Sequence, residues 1–469
     1  MNAHLIAVDL GATSGRVIRG YVGRESIEYE SVHRFPNGPV NMDGALHWDV
    51  SQLFRHILDG LGKAASSEPV QAMGVDSWAV DYGLVTEGEL LRRPFHYRDS
   101  RSHRGAEVVH EVLQPAELFL RHGLQFLPFT TLYQLASEDW TGSSAGAEHF
   151  LLIPDLMNYW LSGVLATELT NASTTGLMRV GSDSWSDELI GLSGAPRRIF
   201  GDLVAPGTTL GGVMGAAGDS LGNIPLVAVG SHDTASAVAA TPLRGDTSAY
   251  LSLGTWGLVG LDVEKPILSD RAQRANFTNE RGVDGSVRFL RNVMGLWMVN
   301  ECISAWQVHD PAVTLKNLLA AVGQMAPAAD LLDVDDPVFA SPGDMPGRIR
   351  QWLSERDMPV PDSREGILNI VVSSLASAYA TTAHQAGELA GRVITEINVV
   401  GGGSKNSVLC QRLANAAGIP VVAGPVEATA MGNLLVSAQA VGVIPPGVGN
   451  IRHLVQQSVT LDHYTPASH

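Results

Sequence analysis

The chain has 469 residues, more than one ordinary hydrophobic core organises, so two domains of similar size are expected. Its composition, 45% apolar and 17% charged, describes a compact globular protein and excludes a disordered one. A net charge of −17, with no cluster of Lys and Arg, excludes a nucleic-acid-binding surface.

In chain order, Leu5 to Val8 is a short apolar run that meets Asp9-Leu10-Gly11 and resumes from Val17 to Val22. This predicts two strands joined by a turn at Gly11–Gly15. Gln71–Val75 and Ile224–Val229 predict buried strands, with helical stretches between them. The pattern then restarts: Ser248 to Leu253 leads into Gly254-Thr255-Trp256-Gly257 and continues from Leu258 to Leu261. Strand, Gly/Thr turn, strand is therefore read twice, as an internal duplication with a phosphate-sized turn at the head of each half. The loop from Thr241 to Asp246 separates the halves, which sets the expected domains at 1–243 and 244–469. In the second half, Asp362 and Glu365 predict a capping box ahead of Ile367, Ile370, Val371, Leu375 and Ala378 at helical spacing. Ile397 to Val400 reads as a buried strand, Gly401–Gly403 as a break, and Asn406 to Ala417 as a helix ended by Gly418.

Cys302 and Cys410 are the chain's two cysteines and lack CxxC spacing, so neither structural zinc nor a disulfide framework is expected. Met1 to Asp9 carries no basic region followed by a long apolar run, and no membrane span is read elsewhere; the expected location is the cytoplasm. The sequons at Asn171 and Asn276 are accordingly chance matches.

Three segments are candidates for chemistry. In Asp9-Leu10-Gly11-Ala12-Thr13-Ser14-Gly15-Arg16, Gly11 and Gly15 permit bends that aim successive N–H groups at one anion, and Thr13, Ser14 and Arg16 add donors and charge. Asp9, at a strand end, suits magnesium held through a water. The competing reading is a plain hairpin with a hydrophilic turn. In Gly230-Ser231-His232-Asp233-Thr234, Asp233 stands either as the N-cap of the following Ala-rich helix or as a carboxylate placed to take a proton from a bound hydroxyl. In Val399 to Asn406, three glycines allow close backbone approach to a ligand, or close helix–strand packing. That run fits neither GxGxxG nor the Walker pattern, and Gly62-Lys63 lacks a P-loop context. Gly142 to Gly146 and Gly218 to Gly222 match GxSxG without the strand and helix that a nucleophilic serine needs.

Taken together, these segments resemble the FGGY family of sugar kinases. The likeness runs from Ile6 to about Val441 through Val8 to Arg16, His47 to Val50, Gly74 to Trp78, Val80 to Tyr82, Tyr97 to Arg101, Phe126 to Phe129, Thr131 to Leu135 and Thr170 to Ala172. It continues through Gly230 to Ala237, Ser252 to Trp256, Asn292 to Trp297, Gly401 to Asn406 and Gly424 to Ala428. The resemblance implies an α/β fold of two ribonuclease-H-like domains of the actin and hexokinase type, with ATP and sugar in the cleft between them. It implies Asp233 as catalytic base, with Ala79, His232, Thr234 and Asn292 on the sugar. It implies Ala12, Thr13, Ser14, Gly15, Arg16, Thr255, Asn300 and Gly402 on ATP, with Mg2+ near Asp9.

The implied reaction is phosphoryl transfer from ATP to the C1 hydroxyl of a ketohexose, L-rhamnulose by preference, by a monomer or homodimer without membrane or nucleic-acid partners. L-fuculose and L-xylulose are the alternative ketoses; a non-kinase ATPase or a sugar-sensing regulator are more distant ones. Two departures bear on this. Ala79 stands where the nearest branch of the family carries Gly at a sugar contact, and Asn300 stands where a nucleotide-side Gln is usual.

Overall fold

The computed structural model describes residues 2–65 and 68–467. The chain divides into two compact units, neither continuous in sequence. The first comprises Met1–Pro242, Asp262–Phe289 and Ala428–Val459; the second comprises Leu243–Leu261, Leu290–Glu427 and Thr460–His469. The chain thus changes unit first after Pro242 and then returns twice.

In the first unit, β1 (Ala3–Leu10), β2 (Ser14–Val22) and β3 (Ile27–Pro36) form an antiparallel meander. Helix α1 (Val50–Ala64) follows, and β4 (Ala72–Ser77) adds parallel to β1. β5 (Thr208–Gly212) and β6 (Pro225–Ala228) complete a six-stranded sheet in the order β5-β6-β4-β1-β2-β3. Every residue of β1 is buried because the sheet is covered on both faces. Alternation sends Ile6, Val8 and Leu10 into one core with Val17, Val75 and the α1 residues Leu53, Ile57 and Leu61. It sends Leu5 and Ala7 into the other core. Helix α1 is capped by Asp49, which accepts from the Gln52 amide at 3.0 Å, and its buried positions recur at helical spacing. A third cluster, with Tyr82, Leu132, Phe150 and Leu177, lies under the chain between β4 and β5.

After β6 comes α2 (Asp233–Ala239), and the second unit repeats the scheme. β7 (Ser248–Leu253) and β8 (Trp256–Val263) are antiparallel, with β9 (Val287–Met294), whose residues up to Phe289 fall in the first unit, beyond β8. The long helix α3 (Arg364–Ala390) precedes β10 (Glu396–Val400), which pairs parallel to β7. Helix α4 (Ser407–Ala417) and β11 (Val421–Ala423) follow, then α5 (Ala428–Ala440) in the first unit and β12 (Asp462–Tyr464), antiparallel to β11. The strand sequence β8-β7-β10-β11-β12 has the pairing senses of β2-β1-β4-β6-β5, so the duplication read from the two Gly/Thr turns is present in the topology. Helix α3 is long and apolar enough to cross a membrane, but it is mostly buried within the fold, as a core helix is.

Local details correct one expectation and bear out another. The N-cap of α3 is Ser363, whose side chain accepts from the Gly366 amide at 3.0 Å; Asp362 lies one residue too early for the expected box. Asn406, read as the first residue of α4, is its N-cap, and Gly418 ends the helix at φ 67°, as expected.

Helix α5 shows why the units interleave. Met431, Leu434 and Leu435 fill the core face of β1 opposite α1, and α5 seats so closely on β2 that a Cβ on Gly20 would lie 2.6 Å from Leu434 Cδ1. Burying one leucine in this way stabilises the fold by about 2–3 kcal/mol.

Candidate active site

Strand register assembles the acidic end of the first unit. Asp9 lies opposite Arg16 across the β1–β2 pair and opposite Asp76 across the β1–β4 pair, so residues distant in sequence stand side by side. Arg16 Nε is 3.1 Å from Asp9 Oδ2. Asp76 Oδ2 accepts from Asn433 Nδ2 on α5 at 2.6 Å. Asp76 is fully buried, and its carboxyl is pushed well above the usual range, first by burial and then by the charge of Asp9, with Asp233 adding to it. Asp76 was not singled out in the sequence: it directly follows the apolar run Gln71–Val75, and its place beside Asp9 appears only in the register.

The turn after β1 is built differently from expectation. Gly11 N–H donates to Ser14 O at 3.0 Å, and the Asn37 amide and side chain bind Thr13 O and Gly11 O at 3.1 and 2.8 Å. Neither Gly11 nor Gly15 has positive φ. Gly15 is required by space: a Cβ there would lie 2.2 Å from the Phe35 ring on β3. Ala12, Thr13 and Ser14 are at least partly exposed on this turn, with Arg16 at its foot.

His232, Asp233 and Thr234 open α2, next to Ser77 at the end of β4; Ser77 N–H donates to Ser231 O at 2.9 Å. The N-cap position belongs to His232, so Asp233 is the first helical residue and does not cap α2 as the sequence suggested. Its Oδ1 accepts from Thr234 Oγ1 at 3.1 Å. The Asp233 side chain keeps 27% of its surface accessible, yet the surrounding protein removes most of its water. Desolvation and then the charge of Asp9 raise its pKa from 3.8 to about 7, against the pull of Thr234 and Arg288. A carboxylate balanced near neutrality is suited to proton exchange. The loop below is pinned by Glu168, whose carboxylate accepts from Ser231 N and Oγ at 3.0 and 2.8 Å and from Thr170 Oγ1 at 2.6 Å.

Ala79 begins a turn in which Val80 has φ 69° and Asp81 N–H returns to Ala79 O at 3.0 Å. This is a γ-turn of the strained, positive-φ kind, here around a β-branched residue. Side chains over-determine it. Thr131 Oγ1 and Gln134 Nε2 donate to Val80 O at 2.7 and 3.3 Å. The buried Asp81 carboxylate gathers Trp48 Nε1, Trp78 Nε1, the Tyr97 amide and Gln134 Nε2 at 2.5, 3.0, 3.2 and 2.8 Å. Burial lifts Asp81 to about 6 despite these donors.

In the second unit, Thr255 lies in the two-residue link between β7 and β8, and its carbonyl accepts from Trp297 N at 3.3 Å. Gly402 opens a short 3-10 turn, Gly402–Lys405, after β10. Its neighbours Gly401 (φ 83°) and Gly403 pack against Leu253, whereas the space above Gly402 is open. Asn300 is exposed on the helix Trp297–Gln307, and Asn292 is half-buried on β9. The expected site residues therefore form one group in the first unit, with Asp9, Ala12 to Arg16, Ala79 and His232 to Thr234, and a second in the other, with Thr255, Asn292, Asn300 and Gly402.

Solved structures that share this fold include carbohydrate and glycerol kinases. A ligand-bound xylulose kinase from Lactobacillus acidophilus matches with a TM-score of 0.80 at 17% identity, covering 99% of this chain and 94% of its own. Plasmodium falciparum glycerol kinase with ADP matches with a TM-score of 0.77 at 13% identity, covering 99% and 95%. Residues 4–240 match the N-terminal domain of the FGGY family of carbohydrate kinases, and residues 249–441 match its C-terminal domain. The chain belongs to the FGGY family of carbohydrate kinases. Its relatives include the rhamnulokinase of Bacteroides thetaiotaomicron, 37% identical over an alignment of 472 positions that covers 99% of this chain and 96% of that protein. The rhamnulokinase of Klebsiella pneumoniae is 38% identical over 469 residues, covering 99% and 94%.

Proposed function

We propose that this kinase transfers the γ-phosphoryl group of ATP to the C1 hydroxyl of L-rhamnulose, in the cytoplasm, as a monomer or homodimer. The observation that carries the substrate is the likeness to two rhamnulokinases along nearly the whole chain. The chemistry is supported by Asp233, a carboxylate near neutral pKa beside two further acids.

In this reading the Asp233 carboxylate accepts the C1 hydroxyl proton, the C1 oxygen bonds to the γ-phosphorus, and the bond from phosphorus to the ADP oxygen breaks. Transfer of this type gains most from positioning and charge neutralisation. Ala12 to Arg16 and Thr255 serve the phosphates, Gly402 and Asn300 the nucleoside side, and Ala79, His232, Thr234 and Asn292 the sugar. Hard carboxylate oxygens suit Mg2+, and the acidic pair fits it: Asp76 Oδ1 is buried without a hydrogen-bond partner, beside Asp9. Asp9 and Asp76 would hold the ion, which supplies charge neutralisation on the phosphates when bound.

ADP release measured with L-rhamnulose, L-fuculose, L-xylulose, D-xylulose and glycerol tests the assignment. The highest kcat/KM is expected for L-rhamnulose. A clear preference for another ketose would overturn the substrate, and the extra methyl of Ala79 is the feature that would explain it. Turnover independent of any sugar would overturn the kinase reading itself.

A further inference from the structure

His232 is more constrained than a sugar contact requires. Its Nδ1 lies 3.0 Å from Arg288 Nη2. A guanidinium has only N–H donors, so Nδ1 must accept, and a neutral imidazole that accepts at Nδ1 carries its proton on Nε2. Arg288, on β9, is completely buried, and its Nε donates to Arg281 O at 2.9 Å. Glu280, on the strand Thr278–Arg281, places Oε2 3.0 Å from Arg288 Nη2 and 3.5 Å from His232 Nδ1. The acid therefore holds the guanidinium against the ring. The His232 backbone is fixed as well, its N–H donating to Thr170 Oγ1 at 3.4 Å. On the other side of the ring, Nε2 lies 3.5 Å from Asp233 Oδ1.

We propose that Arg288, held by Glu280, is a positioning residue that locks His232 in the neutral Nε2–H form and so presents one fixed hydrogen-bond donor beside Asp233. The proposal deepens the kinase reading and rests on it for the role of Asp233. Its chemical consequence concerns the substrate. The sugar oxygen that meets His232 must offer a lone pair, while the hydroxyl that meets Asp233 must offer a proton. Neighbouring oxygens of opposite hydrogen-bonding sense orient the ketose and bring the C1 hydroxyl to the base. Burial and the charge of Arg288 both disfavour an imidazolium, which keeps the donor neutral.

The test reads the ring directly. In protein labelled with 15N-histidine, the His232 signals are assigned by their loss in His232→Gln, and their tautomer is followed from about pH 6 to about pH 9. The expected result is a single Nε2–H tautomer throughout. An Nδ1–H tautomer, a mixture, or protonation in that range would overturn the proposal. In Arg288→Met the signals should turn into a tautomer mixture, with sugar KM raised about tenfold and ATP KM unchanged. A folded Arg288→Met variant with an unaltered His232 spectrum would equally overturn it. Should Arg288→Met not fold, the wild-type spectrum still decides, and Arg288→Lys, which keeps a donor, should retain the tautomer. Asp233→Asn turnover tests the base separately, so a failed base leaves the tautomer result standing.

Discussion

At the scale of single residues, Asp233 admits a test in which a buried acid and a helix cap predict different outcomes. Its pKa is raised from 3.8 to about 7 by burial and by Asp9. Between those values the folded chain keeps a proton that the unfolded chain releases, so stability from this group falls as pH rises from about 4 to about 7. Above neutrality the buried charge is a net penalty. Asp233→Asn should therefore abolish most turnover and raise Tm at pH 8, by up to about 3 kcal/mol of stability. A helix-capping aspartate would instead leave stability nearly unchanged on this replacement, because asparagine caps as well as aspartate does. Thermal melts together with ADP release separate the two. For the wild type, kcat/KM should climb with pH through about 7 and level off above it, as the base ionises. A profile flat from pH 5 to 8 would contradict the assignment.

At the scale of elements, the γ-turn Ala79–Asp81 and its supports form one unit. Asp81→Asn replaces an acceptor shared by Trp48, Trp78 and Tyr97 with a group that also carries donors. Leaving buried donors unpaired costs about 2–3 kcal/mol. We expect a Tm lower by several degrees and a raised sugar KM with unchanged ATP KM; equal changes in both KM values would mean general unfolding instead. This scale also shows what sequence alone conveys. The paired strands, the turns at residues 11 and 254, and helix α4 with its Asn and Gly ends are legible because apolar runs and turn residues are local signals. The reason for Gly15 is not legible, since it is the Phe35 ring on another strand. Asp76, Arg288 and Glu280 were not singled out either. Their roles come from strand register and from contacts between segments about 50 residues apart or more, which no local pattern encodes.

At the scale of the molecule, the first unit depends on a segment more than 400 residues from its start. Gly20 and Leu434 are the contact to probe. Gly20→Ala should cost about 1–3 kcal/mol by overpacking, and Leu434→Ala about 2–5 by leaving a cavity. In the double variant the new methyl occupies part of the vacated space, so the combined loss should fall short of the sum. Urea melts of the four proteins measure this coupling, and strict additivity would show that the two sites do not touch.

The same return of the chain orders events during synthesis. β1 to β6 leave the ribosome first, but the helix that covers their second face, and Asn433 that holds Asp76, follow about 200 residues later. Until then a row of buried-type side chains on β1 and β2 stands uncovered. The nascent chain must wait with an apolar face in need of shelter, so chaperone engagement is expected to persist until residues 428–459 emerge.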